Sequence, residues 1–317
     1  MERPRDVISV VVPTVLRPEV RRAVSSVVAQ DCDSVIEILV VVDAMEVPPS
    51  FVIETPQRTD RIVRVLATGG PYGAPAARNL GARQSTGDFV AFLDDDDEWL
   101  PVHLSEALRV LDADVGLAGT RVYQEVDGSV ISQPVPSTVL APNQKMGDYL
   151  FRARKPGFGR ASMFTSTLVC KREVLAQVPW LEGLKRHQDW DWLLRVEEAG
   201  FKIAQSGAVT AIIHVGTSGS ISASAAWTPS LAWIRDQADR LSGQAYVDFL
   251  TAQTLRYAIQ ARSFRGTQVV LREIRRCRQL PRIGPVVIAA SGLFPRGRSM
   301  SVAKRVANLT RRTNGDR

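Results

Sequence analysis

The sequence is short of cysteine. Cys32, Cys170 and Cys277 are scattered through 317 residues, with no CxxC pair and no Cys/His cluster. That spacing excludes a disulfide framework and a structural zinc site. A reducing, cytoplasmic setting is expected. Long apolar runs are missing too. No stretch reaches 18 apolar residues, so no membrane-spanning helix is expected. The longest candidate, "IGPVVIAASGLF" at 283–294, holds two glycines and a proline. The opening "MERPRDVISVVVPT" lacks the apolar centre of a secretory signal. There is no internal repeat and no low-complexity tract.

Acid is scarce toward the C-terminal end. From residue 230 onward there are 17 Lys and Arg against 5 Asp and Glu. The whole chain is +7, so the first 229 residues carry −5. The basic part has three readings: solvated helix faces, an anionic membrane surface, or contacts between copies in a homo-oligomer. Nucleic acid is not the expected partner. With 45% hydrophobic and 23% charged residues, the composition is that of an ordinary globular chain.

What is there is an alternation of β-branched runs and helical patterns. "VISVVVPT" (7–14), "VIEILVVVD" (35–43), "RIVRVLA" (61–67) and "DFVAFLD" (88–94) read as buried parallel strands. Between them, Val20, Ala23, Val24, Val27 and Val28 follow helical spacing, and 69–85 reads as a Gly/Pro loop leading into a second helix. A third helix, 101–111, starts at Pro101. Strand–helix alternation implies an α/β fold with a mainly parallel sheet. Further on, 119–132 reads as a hairpin turning at Asp127-Gly128, and 161–178 as a strand feeding a helix. A helix within 185–203 should stop before Gly200, and 208–222 reads as a strand with a Ser/Gly loop. Helices follow from about Trp227. The expected division is a domain at 1–228, a basic helical region at 229–305 and a disordered tail at 306–317.

In parallel sheets ligands bind beyond the carboxyl ends of the strands. Pro13-Thr14, Asp43 and the run "DDDD" (94–97) all fall there. Four acids after an apolar strand read either as a solvated turn or as a site for a hard divalent cation, which prefers oxygen ligands. Extended backbone would point Asp94 and Asp96 the same way. An EF-hand does not fit, because Gly at the sixth loop position and Glu at the twelfth are missing. Arg78 could face a phosphate or pair with the acid run. In "HQDWDWLLR" (187–195), Asp189 or Asp191 could cap a helix or act as a general base. Trp190 and Trp192 could wall a site or fill the core. His214 ends a strand before a loop rich in Ser, Thr and Gly that could offer N–H groups to phosphate.

Taken in order, these stretches resemble the GT-A-fold inverting glycosyltransferases of glycosyltransferase family 2. "ISVVVPTVLRPEVRRAVSSVVAQ", "EILVVVDAM", "GAPAARNLGARQSTGDFVAFLDDDDEWLP" and "HQDWDWLLRVEEAG" are similar to that family's opening strand and helix, second strand, metal-motif region and base motif. The likeness covers roughly residues 7–222. It implies a GT-A domain with a C-terminal helical appendage. It places Pro13, Thr14, Arg17, Asp43, Arg78, Asp94 and Asp95 on a nucleotide-sugar, with Asp43 at the base. Asp96 and His214 would hold Mg²⁺ or Mn²⁺, and Asp189 would be the catalytic base. Asp97, Gln188 and Trp190 would support them, and Asp95 would be the most replaceable of the four acids. Two features depart from the pattern. "AMEVPPS" follows Asp43 where the family carries acidic and Gly-Ser residues, and Gln188 stands where it carries Glu.

The implied activity is transfer of a sugar, UDP-linked for preference, to a hydroxyl of a glycan or lipid-linked acceptor in bacterial envelope or exopolysaccharide synthesis. A peripheral position on the inner face of the cytoplasmic membrane goes with it. Two other classes compete: a silent nucleotide-sugar or glycan-binding module, and a nucleotidyltransferase on a related fold.

Overall fold

A computed structural model describes residues 6–54, 58–112, 114–152, 160–216 and 225–294. The expected tail at 306–317, the end of the expected helical region, and the Ser/Gly loop after His214 lie outside those residues. The chain forms two compact units. One comprises Met1–Pro134, Met163–Leu184 and Gln188–Ser218, and the other Val135–Ser162, Lys185–His187 and Gly219–Arg317.

The first unit is built on a nine-stranded sheet. Its elements are β1 (Val7–Thr14), α1 (Val20–Val28), β2 (Val35–Val42), β3 (Arg61–Ala67), α2 (Ala74–Gln84), β4 (Phe89–Phe92), β5 (Glu98–Trp99), α3 (His103–Val110), β6 (Val115–Val126) and β7 (Ser129–Val135). After α4 (Met146–Phe151), which belongs to the second unit, come β8 (Val169–Lys171), α5 (Arg172–Gln177), α6 (Gln188–Glu198) and β9 (Lys202–Val215). The strand order is β3-β2-β1-β4-β8-β6-β9-β5, with β7 paired to β6. β3, β2, β1 and β4 run parallel. β8 enters antiparallel to both β4 and β6.

Why these segments form strands is plain in β1 and β2. Their Val and Ile residues are buried almost without interruption, as a sheet covered on both faces requires. The stripe read in α1 is the stripe it buries: Val20, Ala23, Val24 and Val27. α2 approaches β1 closely because it is built of small residues. A Cβ at Gly81 would overlap the side chain of Val11. The hairpin turns where expected, with Asp127 and Gly128 both at positive φ (50° and 73°), the pattern of a two-residue hairpin turn. α6 ends before Gly200, whose φ is 87°. Trp180 and Trp192 stack at 4.4 Å and both meet the edge of Phe92, so Trp192 is core.

The second unit is helical. It holds α4, α7 (Trp227–Asp236), α8 (Gly243–Phe249), a π-helical turn (Leu250–Leu255), α9 (Arg256–Gln260), α10 (Phe264–Arg276) and α11 (Ile283–Ala290). Phe151, His187, Trp233 and Phe249 form its aromatic centre. That centre is why 135–162 and 185–187 join this unit, although the sequence places them in the first domain. No helix of the described residues is long and apolar enough to cross a membrane.

Candidate functional site

β1, β2 and β4 run parallel and side by side, so their carboxyl ends share one rim. Thr14 ends β1, Asp43 follows β2, and the acid run follows β4. The run is not strand. Asp97 N–H donates to the Asp94 carbonyl at 3.1 Å, closing a turn between β4 and β5. The alternation foreseen for extended backbone is produced by this turn instead. Asp95 and Asp97 are buried, at 5% exposure each, while the side chains of Asp94 and Asp96 keep 35% and 16%.

Each acid has a distinct anchor. Thr14 Oγ1 donates to Asp95 at 2.7 Å, and Arg17 Nη1 reaches Asp95 at 3.2 Å and Asp96 at 3.0 Å. Asp95 is therefore the acid that ties the run to β1. Its expected replaceability is corrected by its burial between Thr14 and Arg17. The loop that delivers Arg17 is strained: Leu16 has φ 67°, unusual for a bulky residue, and its N–H donates to Thr14 Oγ1. Pro13 sits within β1, in register with Val41.

Asp97 is held from the far side. Ser166 Oγ donates to it at 2.5 Å and the His214 backbone N–H at 3.1 Å. Burial, then the charges of Asp94 and Asp96, raise its pKa well above the usual carboxylate range. Burial also raises that of Asp95, against the pull of Thr14 and Arg17.

Arg78 lies on α2, buried at 5% exposure. Its Nη2 meets Asp94 at 2.6 Å, its Nη1 lies 3.4 Å from Gln188 Oε1, and its guanidinium sits 4.8 Å from the Trp180 ring. The sequence left Arg78 between a phosphate and the acid run. Here it pairs with the run and faces the start of α6. Asp189 occupies the first turn of that helix, and burial pushes its pKa up to about 6, with Arg78 pulling down and Asp94 pushing up. Asp191 is the structural acid of the pair, buried on Arg195 at 2.7 Å. Trp190 is half-buried.

Two expected site residues also make structural contacts. Asp43 accepts the N–H groups of Tyr72 and Gly73 at 2.8 and 2.9 Å, so its carboxylate fixes the loop entering α2. His214 has both ring nitrogens on carboxylates: Nδ1 lies 3.2 Å from Glu125 and Nε2 3.5 Å from Glu98. Its buried Nε2 makes no hydrogen bond among the described residues, while Glu125 orients the ring from Nδ1. Among the described residues no three His, Cys, Asp or Glu side chains gather to hold a metal by themselves.

Sequence reasoning missed several partners. Arg22 donates to the Asp96 carbonyl at 2.6 Å. Ser166 serves both the Asp94 N–H and the Asp97 carboxylate. Asn79 exchanges hydrogen bonds with the Trp180 backbone, holding that ring under Arg78. Only Arg22 carried a signal, as a second arginine on the helix that follows Arg17.

Comparison with known proteins decides the family. The model of "Glycosyl transferase family 2" matches residues 9–177, more than half of the chain. The chain belongs to glycosyl transferase family 2. It is 35% identical over 147 residues to the amylovoran biosynthesis glycosyltransferase AmsB of Erwinia amylovora, covering 44% of this chain and 46% of that protein. It is 24% identical over 192 residues to an uncharacterized glycosyltransferase of Haemophilus influenzae, covering 60% and 61%. The chain thus spans about half to three-fifths of the length of these relatives. Among solved structures, S. aureus TarS (1–349) in complex with UDP-GlcNAc is 16% identical with a TM-score of 0.55, over 90% of both chains. The mannosyltransferase PcManGT of Pyrobaculum calidifontis, in complex with GDP-Man and Mn²⁺, is 17% identical with a TM-score of 0.53, over 96% of this chain and 88% of that one. Likeness at that identity speaks for the fold, and the fold is GT-A. The family match stops at residue 177, short of Asp189.

Proposed function

We propose that this family 2 member is a metal-dependent inverting glycosyltransferase. It moves a sugar from a nucleoside diphosphate to a hydroxyl of a glycan or lipid-linked acceptor, in bacterial envelope or exopolysaccharide synthesis. The observation that carries the reading is Asp189. It is a carboxylate with a pKa near 6, at the start of a helix, within the field of the Arg78–Asp94 pair. A base poised there is ionised at neutral pH yet still takes up a proton readily.

Asp189 removes the proton of the acceptor hydroxyl. The oxygen forms its bond to the anomeric carbon as the bond to the diphosphate breaks, and the electron pair leaves with the nucleoside diphosphate. Arg78 offers its guanidinium to that diphosphate, exchanging part of its contact with Asp94. Thr14 and Asp43 stand at the ends of β1 and β2 to meet the nucleoside.

The residues fit a hard divalent cation. Asp94 and Asp96 present partly exposed carboxylates, and one or two carboxylates with substrate phosphates are the usual set for Mg²⁺ or Mn²⁺. Asp96 would hold the ion, whose charge would offset that of the departing diphosphate. A UDP-sugar is the favoured donor. The neighbours' ligands include UDP-GlcNAc and GDP-Man, so donors of both bases belong in the test.

A peripheral membrane position is supported by α11. Ile283, Val286 and Val287 are exposed apolar residues on it, followed by Leu293 and Phe294. Residues 274–315 hold no Asp or Glu against ten Lys and Arg. An apolar face within a basic stretch suits an anionic lipid surface.

The deciding experiment is turnover of UDP-, GDP- and dTDP-sugars with Mn²⁺, in the wild type and in Asp189→Asn. Release of nucleoside diphosphate that collapses in the variant supports the reading. Release of inorganic pyrophosphate from a nucleoside triphosphate, or no turnover of any donor, would overturn it.

A further inference from the structure

His214 is tied to the acid turn by its backbone, whose N–H donates to Asp97 Oδ1 at 3.1 Å. Its side chain is buried, at 10% exposure. In the parallel ladder of β6 and β9 it lies directly opposite Glu125. Residues matched in such a register send their side chains to the same face of the sheet. Nδ1 accordingly sits 3.2 Å from Glu125 Oε1. Glu125 is not among the residues assigned to the donor, the cation or the base.

The two ring nitrogens are in different situations. Nε2 is buried and makes no hydrogen bond among the described residues. Glu98 Oε1 comes within 3.5 Å of it without forming one. A neutral imidazole carries one N–H, and the contact made by one nitrogen decides which of the two keeps the proton. A carboxylate at Nδ1 accepts that N–H and holds the proton there. The Nε2 lone pair then faces a carboxylate oxygen with no proton between them. Two electron-rich atoms so placed repel, and a cation reconciles them. Buried nitrogens without a partner are rare enough to need such a cause.

An imidazole that ligates a metal almost always gives its other N–H to a carboxylate, a backbone carbonyl or water. That contact fixes the tautomer and raises the basicity of the ligating nitrogen. We propose that Glu125 is a positioning residue for the divalent cation. Its carboxylate keeps the proton of His214 on Nδ1 and so leaves Nε2 bare as a ligand beside Asp96. The inference rests on the metal-dependent reading of the site. Glu125 acts only through the ring and touches neither ion nor substrate. Asp97 differs from it, because it takes the His214 backbone N–H and leaves the tautomer alone.

The test is calorimetric titration of the full chain with Mn²⁺ in the presence of UDP. The wild type is compared with His214→Ala, Glu125→Ala, Glu125→Gln and the double variant His214→Ala with Glu125→Ala. Glu125→Ala should bind Mn²⁺ about tenfold more weakly. Glu125→Gln still offers an oxygen to the Nδ1–H and should recover most of that loss. The double variant should bind no more weakly than His214→Ala alone, because a residue acting through the ring has nothing left to act on. A second measurement needs neither metal nor a Glu125 variant. In the metal-free wild type, the ring-nitrogen NMR shifts of His214, assigned by their loss in His214→Ala, should show a protonated Nδ1 and a bare Nε2. A proton on Nε2 overturns the proposal, and protons on both nitrogens would make the ring a structural bridge between Glu98 and Glu125. Equal Mn²⁺ affinity in the wild type and Glu125→Ala overturns it too, as does a Glu125→Ala loss that adds in full to that of His214→Ala. Mn²⁺ affinity that survives His214→Ala but not Asp96→Ala would remove the role of Glu125 and leave the metal reading standing. A wild type that binds no Mn²⁺ would sink the metal reading, and this inference with it.

Discussion

Arg78 Nη2 lies 2.6 Å from Asp94 Oδ1 while its other terminal nitrogen faces Gln188 Oε1 at 3.4 Å. One guanidinium thus spans the acid turn after β4 and the start of α6. Arg78→Ala should destabilise the fold by about 2 kcal/mol, the scale for a hydrogen bond to a charged group. It should also weaken nucleotide binding. Urea unfolding and UDP titration check the two effects separately.

Asp189 sets the acid limb of the pH profile. A base must be ionised, and its pKa is raised to about 6. The rate should therefore fall about tenfold per pH unit below that value and level off above it. Asp189→Asn should cost about 10²–10⁴-fold in kcat. The same variant should melt higher at pH 7. A raised folded pKa makes the ionised form a burden, absent below the unfolded value near 4 and growing as pH rises toward 6. Melting curves at pH 4 and pH 7 read the difference.

Gln188→Glu places a charge beside Arg78 and next to Asp189. A like charge raises a carboxylate pKa. The acid limb should move to higher pH, with the plateau rate retained. An unmoved limb would mean that residue 188 does not sense the base.

Asp95 and Asp96 should separate stability from binding. Asp95→Ser strands Thr14 and Arg17 and should cost about 1–3 kcal/mol. Asp96→Ala should leave melting nearly unchanged and abolish the Mn²⁺ dependence of nucleotide binding. The opposite pattern would reverse the assignment of these two acids.

Removing apolar exposure from α11 tests the membrane reading. The wild type should sediment with vesicles containing anionic lipid at low salt, and Ile283→Ser with Val287→Ser should remain in solution. A wild type that stays in solution but elutes as a dimer assigns the face to a second copy.

Much of the sheet was legible because its cause is local. The β-branched runs of β1 and β2, the stripe of α1 and the Asp127-Gly128 turn each act through neighbouring residues. The acid run was legible as a rim feature, but its internal roles were not. Asp95 looked replaceable because nothing nearby in sequence marks Thr14 and Arg17, about 80 residues away, as its partners. Asp189 and Asp191 are equivalent in sequence. Packing separates them, burying Asp191 on Arg195 and leaving Asp189 near Arg78. His214 stands beside Glu125 through the parallel register of β6 and β9, and beside Glu98 through the antiparallel pairing of β5 with β9, and neither pairing is visible in sequence.

By itself the sequence determined the α/β alternation, the strand ends that carry polar groups, and the order of motifs that marks the family. Periodicity and turn chemistry are short-range and survive in a linear text. Only the tertiary structure decided which carboxylates face inward, which arginine bridges to α6, and which segments complete the helical unit around Phe151, Trp233 and Phe249. Those outcomes depend on burial and on charges brought together across tens of residues. Neither is a property of any one stretch of chain.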